Sequence, residues 1–288
     1  MHLSPVIDSI FNPVFLEGTT LEDMWFRLLR TVWYEGRMGP EITSGSFAGS
    51  HRLTFDEISG FIHSPHVRPL APVMTEGLSI APPTTDEKIE EYFNNYLLNT
   101  DLALNEEYKY SIWIRGGWST KSYHDCPVDQ LQWIIDHFKN HGYYNEHCYM
   151  TIGNPGSNNA YDIPYKECVA DDCTNGVLYQ HEVKNCPDCG AELIKNEALR
   201  GTSPCLRGLD FGIRLIDGIN YLFTKVIYRS WDLYEGWPTN MGGFTRLNEF
   251  LAEQLDNVEP GPLSFTCKSL HCYDHQLEPL KTVLHIQK

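Results

Sequence analysis

The spacing of apolar and polar positions divides the chain into stretches of two periods. Leu21, Trp25, Leu28 and Val32 recur at helical spacing behind Thr19-x-x-Glu22, a capping-box pattern, and Gly36 ends the run. A second helix is predicted within 81–99. Prolines precede it, Thr84-x-x-Glu87 would cap it, and Ile89, Tyr92, Phe93, Tyr96 and Leu97 share a face. A third is predicted over 129–142, ended by Gly142, and a fourth over 244–255. Strand-like segments fall at 52–65, 147–153, 209–228 and 261–273. The segment 209–228 reads as two strands joined near Asp217-Gly218. Helices mixed with mostly antiparallel strands predict an α+β fold. The chain shows no internal repeat and no low-complexity run.

The 288 residues are 42% hydrophobic and 21% charged, a globular mix that suffices for one large core. The net charge of −16 argues against a general nucleic-acid-binding role, because phosphate contacts need a basic face. It leaves room for an anionic small molecule held by a few arginines. No apolar run is long enough to span a bilayer. The stretch "MHLSPVIDSIFNPVFLEG" lacks a basic start and contains Asp8 and two prolines, so a signal peptide is not expected. A cytoplasmic location follows as the expectation, with the nine cysteines reduced and open to metal binding or catalysis.

Two features carry chemistry. Cys168-x4-Cys173 is followed by Cys186-x2-Cys189 in a Cys-Pro-Asp-Cys-Gly knuckle. Such a turn points two thiolates at one ion, and four thiolates close a tetrahedral structural Zn²⁺ site with no open position for catalysis. His181 is an alternative ligand. Taken alone, this feature would also suit a zinc-dependent binding module. The second feature begins at Arg229-Ser230, a bidentate cation beside a hydroxyl, suited to a phosphate. Asn240 offers a donor and an acceptor on one amide, suited to a uracil edge. His271 and Tyr273 alternate by two and share a strand face, where they could hold a sugar hydroxyl. Read singly, Arg229 is equally a surface ion pair, Asn240 a turn residue after Pro238, and Tyr273 a core side chain.

In order, Pro204-Cys205, Arg229-Ser230-x-Asp232, Gly236-x-Pro238-x-Asn240 and Leu270-His271-x-Tyr273 resemble the thymidylate synthase family. The form is closest to its archaeal-type enzymes and the related pyrimidine nucleotide hydroxymethylases. The resemblance implies one thymidylate synthase-like domain over 1–288, a mixed sheet packed with helices, with a zinc-ribbon-like insertion at 165–195. It implies a homodimer and two small-molecule partners, a nucleoside monophosphate and 5,10-methylenetetrahydrofolate. It makes Cys205 the nucleophile that adds to C6 of the pyrimidine, with Arg229 and Arg207 favouring its thiolate. Arg229 and Ser230 would contact the 5′-phosphate, and Asp232 the base or the folate pocket. Asn240 would read uracil, and His271 and Tyr273 would hold the 3′-hydroxyl. Tyr110 would match an active-site tyrosine, and Glu91, or else Glu90, the general base. The sequence departs from the family at four places. Leu206 stands where bacterial relatives have histidine, and Glu146-His147 where an arginine pair reaches the partner's phosphate. Tyr228 replaces a glutamine, and the sequence given stops soon after residue 275, where relatives carry a closing segment. Water capture therefore stays open as an outcome, making a deoxyuridylate or (deoxy)cytidylate 5-hydroxymethyltransferase the alternative. A non-catalytic paralogue is a further one.

Overall fold

The computed structural model describes residues 11–43, 47–75, 77–78, 80–103, 106–119, 124–159, 164–170, 172–173, 184–200 and 202–286. The chain opens with strand β1 (Pro13–Gly18) and helix α1 (Leu21–Glu35), then β2 (Arg37–Met38), β3 (Arg52–Thr54) and β4 (Glu57–Ile62). Helix α2 (Asp86–Tyr92) runs into a π-helical turn (Phe93–Leu98), followed by α3 (Ser111–Arg115) and α4 (Gln130–His141). Next come β5 (Tyr149–Thr151), α5 (Pro155–Asn159) and the pair β6 (Pro164–Glu167) and β7 (Ile194–Arg200). The long hairpin β8 (Leu206–Ile216) and β9 (Ile219–Tyr228) precedes β10 (Trp231–Asp232) and α6 (Gly236–Glu253). Strands β11 (Val258–Cys267) and β12 (Leu270–Tyr273) and helix α7 (Leu277–Val283) complete the described elements.

The architecture is α+β with mixed sheets, as the periodicities predict. The main sheet has the order β1-β4-β11-β9-β8-β5. β1 and β4 pair in parallel, as do β11 and β9, and the remaining neighbours are antiparallel. A smaller sheet runs β10-β12-β3-β2, and β6 and β7 form a ribbon of their own. Helices α1 and α6 close one face of the main sheet around a core that includes Trp25, Leu28, Trp237, Phe244 and Phe265, all under 2% exposed. Asn248 of α6 stitches helix to sheet through Leu222 O and Thr224 Oγ1 at 2.8 and 2.9 Å. Glycine permits α2 to lie on α6: a Cβ at Gly243 would sit 2.4 Å from the Tyr92 ring. The opposite sheet face presents Ser59, Phe61, Phe223, Ile227, Ser264 and Thr266, all half-buried, and exposed Lys225.

Three local details differ from the sequence reading. The caps lie one residue later than predicted. Thr20 accepts from Asp23 N and Thr85 from Lys88 N, so each hydroxyl satisfies a free donor of the first turn. Helix α6 starts at Gly236 rather than near 244, because Pro238 falls in the first turn, where its missing N–H costs no hydrogen bond. Asn240 is therefore a helix residue. Strand β1 lies in the apolar N-terminal stretch and follows β4 in register, Val14 opposite Ile58. The hairpin turn is as read: Asp217 and Gly218 have φ of 50° and 84°, the left-handed pair a two-residue turn requires.

Candidate active site and cysteine knuckle

Cys205 ends the 202–205 loop and opens β8, half-buried. The loop is fixed from several sides. Its carbonyl at Cys205 accepts from Arg229 N at 2.9 Å, joining it to the end of β9. The Arg229 guanidinium donates to Ser203 O at 2.9 Å and to Pro204 O at 3.2 Å. Arg207 Nη1 donates to Pro204 O at 3.4 Å, and its Nη2 to Asn158 Oδ1 of α5. Tyr108 Oη donates to Ser203 O, and Leu206 N donates to Tyr110 Oη. Gly153 lies under Pro204, where a Cβ would come within 2.9 Å of the ring. Two guanidiniums thus hold the loop that carries the thiol. Burial, and next the charge of Arg229, lower the pKa of Arg207.

Aromatic rings wall the thiol. Tyr96 meets Tyr110 edge-on at 5.2 Å, and Tyr110 meets Tyr228 at 6.4 Å. Burial raises the pKa of Tyr96, Tyr108, Tyr110 and Tyr228 well above the ordinary phenol range, so these hydroxyls stay neutral. For Tyr110 the second cause is the nearby Cys205.

The remaining residues singled out in sequence fall into two groups. Asn240, in the second turn of α6, accepts from Trp231 Nε1 at 2.8 Å and from Tyr228 Oη at 3.4 Å. Asp232 accepts through Oδ1 from Tyr234 N at 3.0 Å and through Oδ2 from Gly236 N at 3.3 Å. Gln276 Nε2 donates to both of its oxygens. Its carboxyl is buried, which raises its pKa despite these bonds, and it ties down the start of α6. His271 lies opposite Asp232 in the parallel β10–β12 pair. Its Nδ1 is 2.9 Å from Ser269 O, an acceptor, so the proton is on Nδ1. Burial lowers its pKa to about 4. Among the described residues its buried Nε2 has no hydrogen-bond partner, which leaves it an acceptor. Tyr273 packs edge-on to His271 at 4.8 Å and stacks on Phe47 at 3.9 Å. Ser230 is half-buried.

The glutamates behave differently. Glu91 is exposed on α2, and Glu90 is ion-paired with Arg246. The side chains of that segment that reach the aromatic wall are Tyr92 and Tyr96. Glu146 and His147 are both exposed.

Two sets of residues escaped the sequence reading. Arg52 of β3 lies over the Tyr273 ring at 5.3 Å and brings a third cation to the His271 end. His124, fully buried, bridges Ser157 Oγ at 3.0 Å and Glu107 Oε1 at 3.1 Å. Glu107 Oε2 in turn accepts from Thr202 N and Thr202 Oγ1 at 3.1 and 2.7 Å, at the base of the cysteine loop. These residues come from segments without regular period, so no pattern joins them in sequence.

Cys168, Cys173, Cys186 and Cys189 converge, as their spacing predicts. All four sulfurs lie within 4.8 Å of one another, with Cys168–Cys189 at 3.5 Å and Cys173–Cys186 at 3.8 Å. Four thiolates about 2.3 Å from one Zn²⁺ would stand about 3.8 Å apart, so the donor set fits. The Cys189 and Asp188 amides donate to the Cys186 sulfur and draw its pKa down to about 6 against the effect of burial. Gly190, at φ 73°, allows the knuckle to turn, and its N–H donates to Cys186 O at 2.8 Å. His181 lies outside the described residues. Among the described residues no helix is long and apolar enough to cross a membrane.

No family model matches the chain. Curated proteins described as "putative thymidylate synthase" do. Those of Methanosarcina mazei and Methanosarcina acetivorans are each 24% identical over 269 residues, covering 93% of this chain and 94% of theirs. That of Methanococcoides burtonii is 22% identical over the same shares. The similarity to these proteins is spread over nearly the full length of both partners.

Proposed function

We propose that the protein catalyses folate-dependent one-carbon transfer to C5 of a uridine monophosphate nucleotide, converting dUMP to dTMP through a covalent adduct on Cys205. The observation that carries this reading is the Cys205 loop. A half-buried thiol sits on a loop whose carbonyls are held by Arg207 and Arg229, beside neutral tyrosines. The thiolate is the nucleophilic form of such a side chain. The sulfur bonds to C6, the C5–C6 electron pair moves towards C5 and O4, and C5 becomes able to attack. The folate would supply the one-carbon unit, whose bond to the folate nitrogen breaks after C5 has bonded to it, and, for a methyl product, a hydride, which leaves the folate oxidised to the dihydro form. Loss of the C5 proton and departure of the Cys205 sulfur restore the ring double bond. Support for Glu91 as the base that takes that proton comes from the family resemblance alone.

Arg229 and Ser230, with Arg207, hold the 5′-phosphate. Arg229 uses Nε and Nη2 on the loop, which leaves Nη1 for the ligand. His271 accepts from the sugar hydroxyl through its unpartnered Nε2, with Tyr273 beside it. Asp232 orders the strand-to-helix turn beneath the base, and Tyr110 braces Leu206 next to the nucleophile. One structural zinc joins the four cysteines. Two copies pair through the half-buried sheet face that carries Phe61, Phe223 and Ile227.

The test is tritium release from [5-³H]-dUMP with methylenetetrahydrofolate, followed by product identification. Release with thymidylate formation supports the reading. Release with a 5-hydroxymethyl product moves the enzyme to the hydroxymethyltransferases, and no release refutes C5 chemistry.

A further inference from the structure

Helix α4 carries Trp133, His137 and His141 at successive i,i+4 positions, so the three rings lie along one side of it. They touch in order. Trp133 stacks on His137 at 4.8 Å and 24°, and His137 meets His141 at 4.7 Å. The chain then turns back. Gly142 ends the helix at φ 89°, Asn145 Nδ2 donates to Gly142 O at 2.6 Å, and Asn145 Oδ1 accepts from His147 N at 3.1 Å. That turn sets the His147 ring edge-on to His137, with centroids 5.6 Å apart. His137 is thus the middle of a cluster of three imidazoles. Among the described residues its buried Nε2 has no hydrogen-bond partner, a state that costs free energy until something meets it. Burial, and next His141 and His147, lower the pKa of His137, which favours the neutral ring. His141 and His147 are exposed, so their rings have room to turn.

We infer that His137, His141 and His147 form a second metal site, suited to imidazole-seeking divalent cations such as Zn²⁺ or Ni²⁺. Two histidines four apart on one helix face are a recurrent half of such sites, and His147 brings the third nitrogen ligand from the following turn. The site differs in kind from the knuckle. Four sulfurs within 4.8 Å of one another close the coordination of an ion, whereas three imidazoles leave a position open to water or a further ligand. The rings are less drawn together than the sulfurs, so an ion would turn His141 and His147 onto His137. That movement costs free energy, and micromolar affinity is expected rather than the tighter binding of a closed thiolate site. No residue of the cluster has a role in the proposed function, so the two stand or fall separately.

The experiment is calorimetric titration of the tag-free full chain, purified with zinc and then dialysed, with NiCl₂. Thiolates select zinc, so Ni²⁺ is the probe that reports imidazoles. The wild type should bind one Ni²⁺ per chain with a micromolar dissociation constant. His141→Gln and His147→Gln should each weaken binding by at least about 10-fold, because contacts outside a metal's own shell are already worth that much. Both side chains are exposed, so these variants should fold, and they carry the test if His137→Gln disturbs the packing of Trp133. His63→Gln removes an exposed histidine beside β4, towards the other edge of the main sheet, and Cys186→Ser removes a knuckle sulfur. Each should leave the Ni²⁺ affinity within about 2-fold. No saturable Ni²⁺ binding by the wild type would overturn the inference. So would binding unmoved by either His141→Gln or His147→Gln, which would break the three-ligand set. Binding lost in Cys186→Ser but kept in the histidine variants would place the ion in the knuckle and overturn it as well.

Discussion

The Cys205 loop and the cysteine knuckle are neighbouring stretches of one chain, and they are ordered by opposite means. Around Cys205 the order comes from packing. Tyr110 and Tyr228 stand over it, Arg207 and Arg229 hold its carbonyls, and Glu107 grips Thr202 with His124 buried behind it. The described residues of the knuckle form no comparable core. Among the described residues from 164 to 200, Cys186 and Leu193 are buried, while Val169, Cys189 and Ile194 are exposed. Its strands β6 and β7 pair antiparallel, and four sulfurs converge beyond them. The difference teaches where each kind of cysteine draws its function. A nucleophile needs a rigid surround that exists before the ligand arrives. A structural metal ligand can supply the rigidity itself.

The sharpest test of the comparison is to remove each sulfur in turn. Cys205→Ala should abolish turnover, by at least about 10³-fold, while dUMP affinity measured by calorimetry stays within about 3-fold. Near wild-type turnover would end the covalent reading. Cys186→Ser, by contrast, should act on structure. Metal analysis should fall from about one zinc per chain, and hydrogen exchange should lose protection in 164–200 while β8 and β9 keep theirs. Loss of protection throughout the main sheet would show that the knuckle supports the core after all.

A smaller effect is expected from the second rank of contacts. Glu107→Ala removes the acceptor for both Thr202 donors, so the loop that presents Cys205 should loosen. A fall in kcat of about 10-fold with KM for dUMP nearly unchanged is the expected pattern, since the damage is to orientation rather than binding. A change confined to KM would place Glu107 in ligand binding instead. Smallest is a pH effect. The His271 pKa is lowered to about 4 by burial, so between there and the ordinary value near 6.5 the unfolded chain binds the extra proton. Stability from this residue is therefore complete above about pH 6.5 and is lost as pH falls towards 4, by up to about 3 kcal/mol. Asp232, with its pKa raised by burial, contributes with the opposite sign. Urea unfolding between these pH values should show a shallower dependence in His271→Asn, and an unchanged slope would refute the assignment.

Much of this contrast was legible in the sequence, for physical reasons. The knuckle is local, so spacing alone brings Cys186 and Cys189 together, and the family resemblance collected Cys205, Asn240 and His271 across long separations. Helix and strand periods located α1, α4 and the β8–β9 hairpin. The start of α6 was hidden because Pro238, Gly242 and Gly243 look like loop residues. Only the first-turn position of the proline and the close approach of α2 explain them. The contacts of His124 and Arg52 were illegible because they are made only in three dimensions. The orientation of Glu91 was equally beyond pattern, since two adjacent glutamates on a helix differ only in which way the helix faces.

The order of strands in the main sheet also bears on how the chain is made. β4 has β1 on one side and β11 on the other, with Ile62 opposite Leu263, so two strands from the first quarter wait for one from the last. Asn240, His271 and Tyr273 emerge later still than the Cys205 loop. During synthesis the early strands therefore stand with open edges, and the Cys205 loop exists for a time without Asn240, His271 and Tyr273. Such long-range pairing makes folding slow and exposes unfinished chains to edge-to-edge association. The insertion of β11 into the middle of the sheet is thus the pairing that closes those edges.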